Sequence, residues 1–136
     1  MKRYILITIF SFFLFKSCDL LSQKTVVKKD TYVADNYTKE EVNILMRDGT
    51  KLHTTIYTPK DNSKKYPILL QRTPYSSKPY GEGMKTKIGP NVHLMKEGNI
   101  VVYQDVRGRW MSEGVYDNMR AYIPNKTANQ SDEVSD

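Results

Sequence analysis

Serine hydrolysis requires a serine on a strained Gly-x-Ser-x-Gly turn, with a histidine and a carboxylate to activate it. The 136 residues contain two histidines, His53 and His93, and no Gly-x-Ser-x-Gly run. Ser112 comes nearest, with Gly114 two residues after it but Trp110 where the first glycine should stand. His53 falls in the middle of a strand-like segment and His93 in a short helical one, so surface or packing roles suit both better than catalysis. Cys18 is the one cysteine, which excludes a disulfide within the chain and a cysteine metal cluster. Two histidines are also too few for an ordinary histidine zinc site. No metal or organic cofactor is expected.

The run with most chemical potential is Asp105-Val106-Arg107-Gly108-Arg109-Trp110-Met111-Ser112-Glu113-Gly114. It is polar, punctuated by glycine, and follows the apolar segment Asn99–Asp105. Ligand crevices in open α/β sheets form at the carboxyl ends of such strands. A second apolar segment, Tyr66–Arg72, ends in Thr73-Pro74-Tyr75-Ser76. Proline cannot donate to a strand ladder, so Pro74 stops it. From pattern alone, Tyr75 reads as a buried tyrosine closing a strand end.

These loops need a sheet to hold them. Val42, Ile44 and Met46 alternate with Asn43, Leu45 and Arg47, Asp48-Gly49 follows, and Leu52, Thr54 and Ile56 alternate again. That pattern predicts a hairpin with strands at about Glu41–Arg47 and Lys51–Tyr57. Gly49 accepts the positive φ that such a turn requires. Tyr66–Arg72 and Asn99–Asp105 are short continuous apolar runs, as in parallel strands buried on both faces. Between them, Ser77–Pro90 reads as loop, and Asn91–Glu97 as a short helix capped by Asn91 and stopped by Gly98. Its expected core face is Val92, Leu94 and Met95. Two buried strands joined through a helix imply a crossover in an α/β fold with a parallel sheet.

The N-terminus has the parts of a secretory signal. Lys2 and Arg3 precede the apolar stretch Tyr4–Phe15, and a polar region runs to Gln23. That stretch is shorter than the roughly 20 apolar residues a membrane span needs. Cys18 fits two readings, a lipoprotein anchor or a residue discarded with the leader. Either way the mature chain is expected to be secreted or periplasmic. The expected organisation is a signal peptide over 1–23, a polar arm or linker over 24–39, and the sheet-forming part over 40–136. Asn125–Asp136 reads as polar and unstructured.

Three runs carry a family resemblance: Met46-Arg47-Asp48-Gly49-Thr50-Lys51-Leu52, Gln71-Arg72-Thr73-Pro74-Tyr75-Ser76, and Gln104 through Gly114. In order and spacing they resemble the cocaine-esterase-like hydrolases, a group related to the Xaa-Pro dipeptidyl-peptidases, and within it the α-amino-acid ester hydrolases and glutaryl-cephalosporin acylases. The resemblance covers about Thr38 to Asp136. It implies the N-terminal portion of an α/β-hydrolase sheet, strand-strand-strand-helix-strand, ending before the nucleophile strand. It implies a Ser-Asp-His triad carried beyond these residues, and a small acyl ester or amide as substrate. It also implies that the Tyr75 hydroxyl donates to the oxyanion. The loop with Asp105, Arg107 and Arg109 would then be a structural element beside the active site. Asp105 is expected to pair with an arginine or to cap backbone N–H groups. Trp110 fits either a substrate pocket or packing. Without the triad the isolated chain is expected to be inactive, and with no later strand beside it Tyr66–Arg72 would present an unpaired apolar edge, so poor solubility is expected as well.

Composition narrows the alternatives. Hydrophobic residues make up 39% and tyrosines number ten, which argues against a disordered chain. The net charge is +6, but without Lys2, Arg3, Lys16 and Asp19 it is +4, from 18 basic and 14 acidic residues. Those charges are interleaved rather than clustered, so a nucleic-acid interface is not expected. The competing reading is a non-catalytic secreted binding module. A homo-oligomer formed by exchange of the polar arm stays open.

Overall fold

The computed structural model describes residues 30–127, 130 and 132. The expected leader, Cys18 and residues 24–29 of the expected arm therefore lie outside the described residues. The described part of the expected arm is not a linker. Tyr32–Asn36 forms a helical turn, α1, with the Thr31 hydroxyl donating to the Asp35 carboxylate at 2.8 Å. The chain then turns extended at Tyr37 and enters strand β1, Tyr37–Leu45. Val33 and Tyr37, both within the expected arm, are buried core residues.

β1 pairs antiparallel with β2, Lys51–Pro59, in the register Val42↔Thr54. The expected hairpin is present, but β1 starts four residues earlier than the apolar alternation indicates. Its connection is closed by the Gly49 N–H donating to the Met46 carbonyl at 3.0 Å. β3, Ile68–Thr73, leads through α2, Val92–Glu97, into β4, Ile100–Asp105. β3 and β4 are parallel, while β4 pairs antiparallel with β2. The sheet order is β1-β2-β4-β3. The Asn91 side chain accepts from the Leu94 N–H at 2.9 Å, which satisfies an otherwise unpaired donor at the start of α2. Gly98 ends the helix at φ 85°.

One face of the sheet carries the core. Val33, Tyr37, Tyr57, Ile88, Met95, Val101 and Tyr103 pack there beneath α1, α2 and the 77–90 loop. Tyr57 and Tyr103 meet edge to face, with ring centroids 6.1 Å apart. Their hydroxyls accept the Lys85 and Gly89 N–H groups, so burying these rings also fastens the loop. Of the expected helix face, Met95 alone is fully buried; Leu94 is half-buried and Val92 is exposed. A six-residue helix turns too few side chains inward to bury all three.

β3 departs from expectation. Its sequence reads as doubly buried, yet Ile68 is 65% and Leu70 57% exposed. It forms the sheet edge, and Ile68 and Leu70 stay open although Leu52, Thr54 and Gln104, on the same face, are buried.

Candidate active site

The carboxyl ends of β3 and β4 lie side by side, with Thr73 opposite Asp105. From there the chain leaves through two loops that Asp105 ties together. Its Oδ1 accepts the Ser77 N–H at 2.7 Å, and its Oδ2 accepts the Tyr80 hydroxyl at 2.8 Å. The Met111 N–H reaches the same Oδ2 more loosely, at 3.5 Å. Asp105 is fully buried, so its carboxylate serves as an internal acceptor for backbone and tyrosine donors. Burial pushes the Tyr80 hydroxyl above its ordinary pKa, and the carboxylate it donates to adds to the rise. Tyr80 therefore stays a donor across the physiological range.

Tyr75 sits on the turn just after β3. Its N–H donates to the Thr73 hydroxyl at 3.0 Å, and its side chain is 85% exposed. The simple reading of Tyr75 as a buried strand-end tyrosine is therefore corrected: the turn carries the ring outward. The next residue, Ser76, has φ 95°, a conformation rare for residues with side chains. Its hydroxyl accepts the Lys78 N–H at 3.1 Å and lies 3.1 Å from the Tyr80 hydroxyl.

Trp110 comes from the other loop. Its indole N–H donates to the Pro74 carbonyl at 2.8 Å, and the Lys78 ammonium lies over its ring. It is half exposed, so it braces the Tyr75 turn while presenting a ring surface to solvent. Arg109 stacks its guanidinium on Tyr116 at 4.5 Å. Arg107 is buried and makes a two-pronged pair with Asp48, at 2.7 and 3.3 Å. Desolvation pulls the Asp48 carboxyl upward, but the Thr50 N–H and Arg107 outweigh it and hold it below the ordinary aspartate range. This pair fastens the Asp105–Gly114 loop to the β1–β2 turn. Gly108 is needed where the loop doubles back, because a Cβ there would run into the Tyr116 backbone nitrogen.

Ser112 is engaged structurally. Its hydroxyl donates to the Asp105 carbonyl at 2.7 Å and accepts the His53 N–H at 2.9 Å. The His53 ring is buried edge-on to Tyr80, with centroids 5.3 Å apart, and His93 lies exposed on α2. The structure brings neither histidine to a serine hydroxyl through its ring. A cavity of about 260 Å³ opens at the same strand ends, lined by Arg72, Pro74, Gln104, Val106, Arg107 and Tyr116 among others.

Ser77, Tyr80 and Asp48 are absent from the sequence-derived list of site residues. Asp48 carried a turn signal and lay in a run that bears the family resemblance, but neither points to Arg107, and its bond to that residue spans 59 positions. Tyr80 lies in a glycine- and proline-rich loop with no local pattern to single it out.

A profile of the X-Pro dipeptidyl-peptidase (S15) family matches residues 48–136. No curated protein sequence matches. Among solved structures, a selenomethionine-labelled α-amino acid ester hydrolase is 38% identical, with a TM-score of 0.55 over 75% of this chain and 17% of its own. An aminopeptidase from the marine sediment archaeon Thaumarchaeota archaeon is 35% identical, with a TM-score of 0.54 over 74% of this chain and 17% of its own. The chain thus spans about a sixth of the length of these structures. The motif-bearing segments and the strand order agree with these likenesses, and the chain belongs to the X-Pro dipeptidyl-peptidase (S15) family, with the opening strands of an α/β-hydrolase sheet.

Proposed function

We propose that this chain forms the N-terminal part of a secreted serine hydrolase that cleaves ester or amide bonds of small acyl substrates. In this reading the Tyr75 hydroxyl is one of two oxyanion donors. The residues lack a Gly-x-Ser-x-Gly turn, so they supply the sheet and this donor, not the nucleophile, and are inactive by themselves.

The observation that carries the reading is the exposure of Tyr75, 85%, on a braced turn at the carboxyl end of β3. A large exposed aromatic held this way costs backbone strain at Ser76 and leaves a hydroxyl unburdened by internal partners among the described residues. Acyl transfer places negative charge on the carbonyl oxygen in the transition state. A donor already aimed at that oxygen lowers the barrier without reorganisation. In α/β-hydrolases one donor comes from the loop after strand β3, which is where Tyr75 lies. The family's ester hydrolase and aminopeptidase structures bring both ester and amide substrates into range.

The test is Tyr75→Phe in the protein carrying the complete hydrolase fold. Expected is a fall in kcat of about 10²–10³-fold with KM little changed. An unchanged kcat would contradict the role.

A further inference from the structure

Lys39 was expected in a polar arm, but it lies in β1 with its side chain only 5% exposed. Its ammonium donates to the carbonyls of Pro79, Gly81 and Gly83 at 2.7, 2.6 and 2.8 Å. The Glu41 carboxylate, on the same face of β1, lies 2.6 Å away. An ammonium has three N–H donors, and three carbonyls take them while the carboxylate balances the charge. Alternate carbonyls of one segment thus converge on a single buried cation. The winding is tight: a Cβ on Gly83 would lie 2.9 Å from the Pro79 Cβ.

Tyr80 stands inside this wound segment. Its hydroxyl joins Asp105 to Ser76, and Ser76 holds its positive φ directly beside Tyr75. A continuous chain of bonds therefore runs from Lys39 to the turn that aims Tyr75.

We propose that Lys39 is a positioning residue for Tyr75, its ammonium being the internal cation around which residues 79–83 wind and through which Tyr80 and Ser76 are fixed. The proposal rests on the oxyanion role of Tyr75 proposed above. It has a consequence that packing alone does not have. Lys39→Ala leaves a cage shaped for an alkylammonium, and n-propylammonium supplies the missing carbons and charge.

The experiment compares wild type, Lys39→Ala and Tyr75→Phe in the protein carrying the complete hydrolase fold. It reads hydrogen exchange at the Ser77 N–H and kcat and KM on an ester substrate. Expected for Lys39→Ala is exchange at Ser77 faster by about tenfold or more. The kcat should fall by about 10- to 100-fold with little change in KM. Added n-propylammonium should reverse both effects and do nothing for Tyr75→Phe. Unchanged exchange at Ser77, or effects that n-propylammonium cannot reverse, would overturn the cation role. Faster exchange with full kcat, where Tyr75→Phe is impaired, would overturn the positioning role. Full kcat in Tyr75→Phe would overturn the oxyanion reading itself, and the positioning role with it. If Lys39→Ala does not fold, Lys39→Met keeps the aliphatic stem, removes the donors, and is read by the same exchange and kcat criteria.

Discussion

The two faces of the sheet are built from similar residue types and have opposite fates. On one face Tyr57, Val101 and Tyr103 are closed over by α2, by the 77–90 loop and by α1. On the other, Leu52 is buried, but Ile44, Ile68 and Leu70 remain 40%, 65% and 57% exposed. Intrinsic hydrophobicity does not separate them. What separates them is whether a later or earlier segment folds back. The covered face is fastened by polar atoms as much as by apolar ones: Lys39, Asp105 and the tyrosine hydroxyls each hold the covering loop by its backbone.

The largest expected effect belongs to the covered face. Tyr57→Ala removes a fully buried ring and the acceptor of the Lys85 N–H. It should cost about 3–5 kcal/mol in denaturant unfolding. A cost below about 1 kcal/mol would break the comparison. Next is Arg107→Met, which leaves the Asp48 carboxylate partly buried without its guanidinium. A loss of about 3 kcal/mol is expected, and Arg107→Lys should recover only part of it, since a point charge cannot make the two-pronged pair.

Acid titration should give a smaller effect. The carboxyls of Asp48 and Glu41 both lie below their ordinary values; hydrogen bonds and neighbouring cations outweigh desolvation. Their contribution is therefore fully present above the unfolded carboxylate value of about 4 and lost as pH falls through the lower folded values. Stability measured against pH should decline on that acid limb, and Arg107→Met should flatten it. An acid limb of unchanged steepness in the variant would show that Asp48 is not the responsible group. The smallest effect is expected on the open face. Leu70→Lys should change stability by no more than about 0.5 kcal/mol. It should raise the soluble fraction of the isolated chain by blunting the β3 edge. A large destabilisation would mean that this face is covered after all.

Local chemistry made much of the fold legible. The Asp48-Gly49 turn, the Asn91 cap, the Gly98 stop and the apolar run at Ile100–Asp105 each state their structure within a few residues. The start of β1 was hidden because two of its inward residues, Lys39 and Glu41, are charged and satisfy one another. Period-2 patterning of apolar residues cannot register an inward lysine. The exposure of β3 was also unreadable, since burial there depends on what packs on it and not on its own side chains. At the site, Tyr75 and the Asp105–Gly114 loop stood out through motif resemblance. Tyr80 did not, because its role comes from a bond to Asp105 across 25 positions and from a loop wound around Lys39.

The most direct test of the central claim is the affinity of a boronic-acid mimic of the tetrahedral intermediate for the complete hydrolase and its Tyr75→Phe variant. If Tyr75 donates to the oxyanion, the variant should bind the boronate about 10²-fold more weakly while holding the carboxylic acid product as tightly as wild type. Equal affinity of both proteins for the boronate, or an equal loss for boronate and product, would contradict that role.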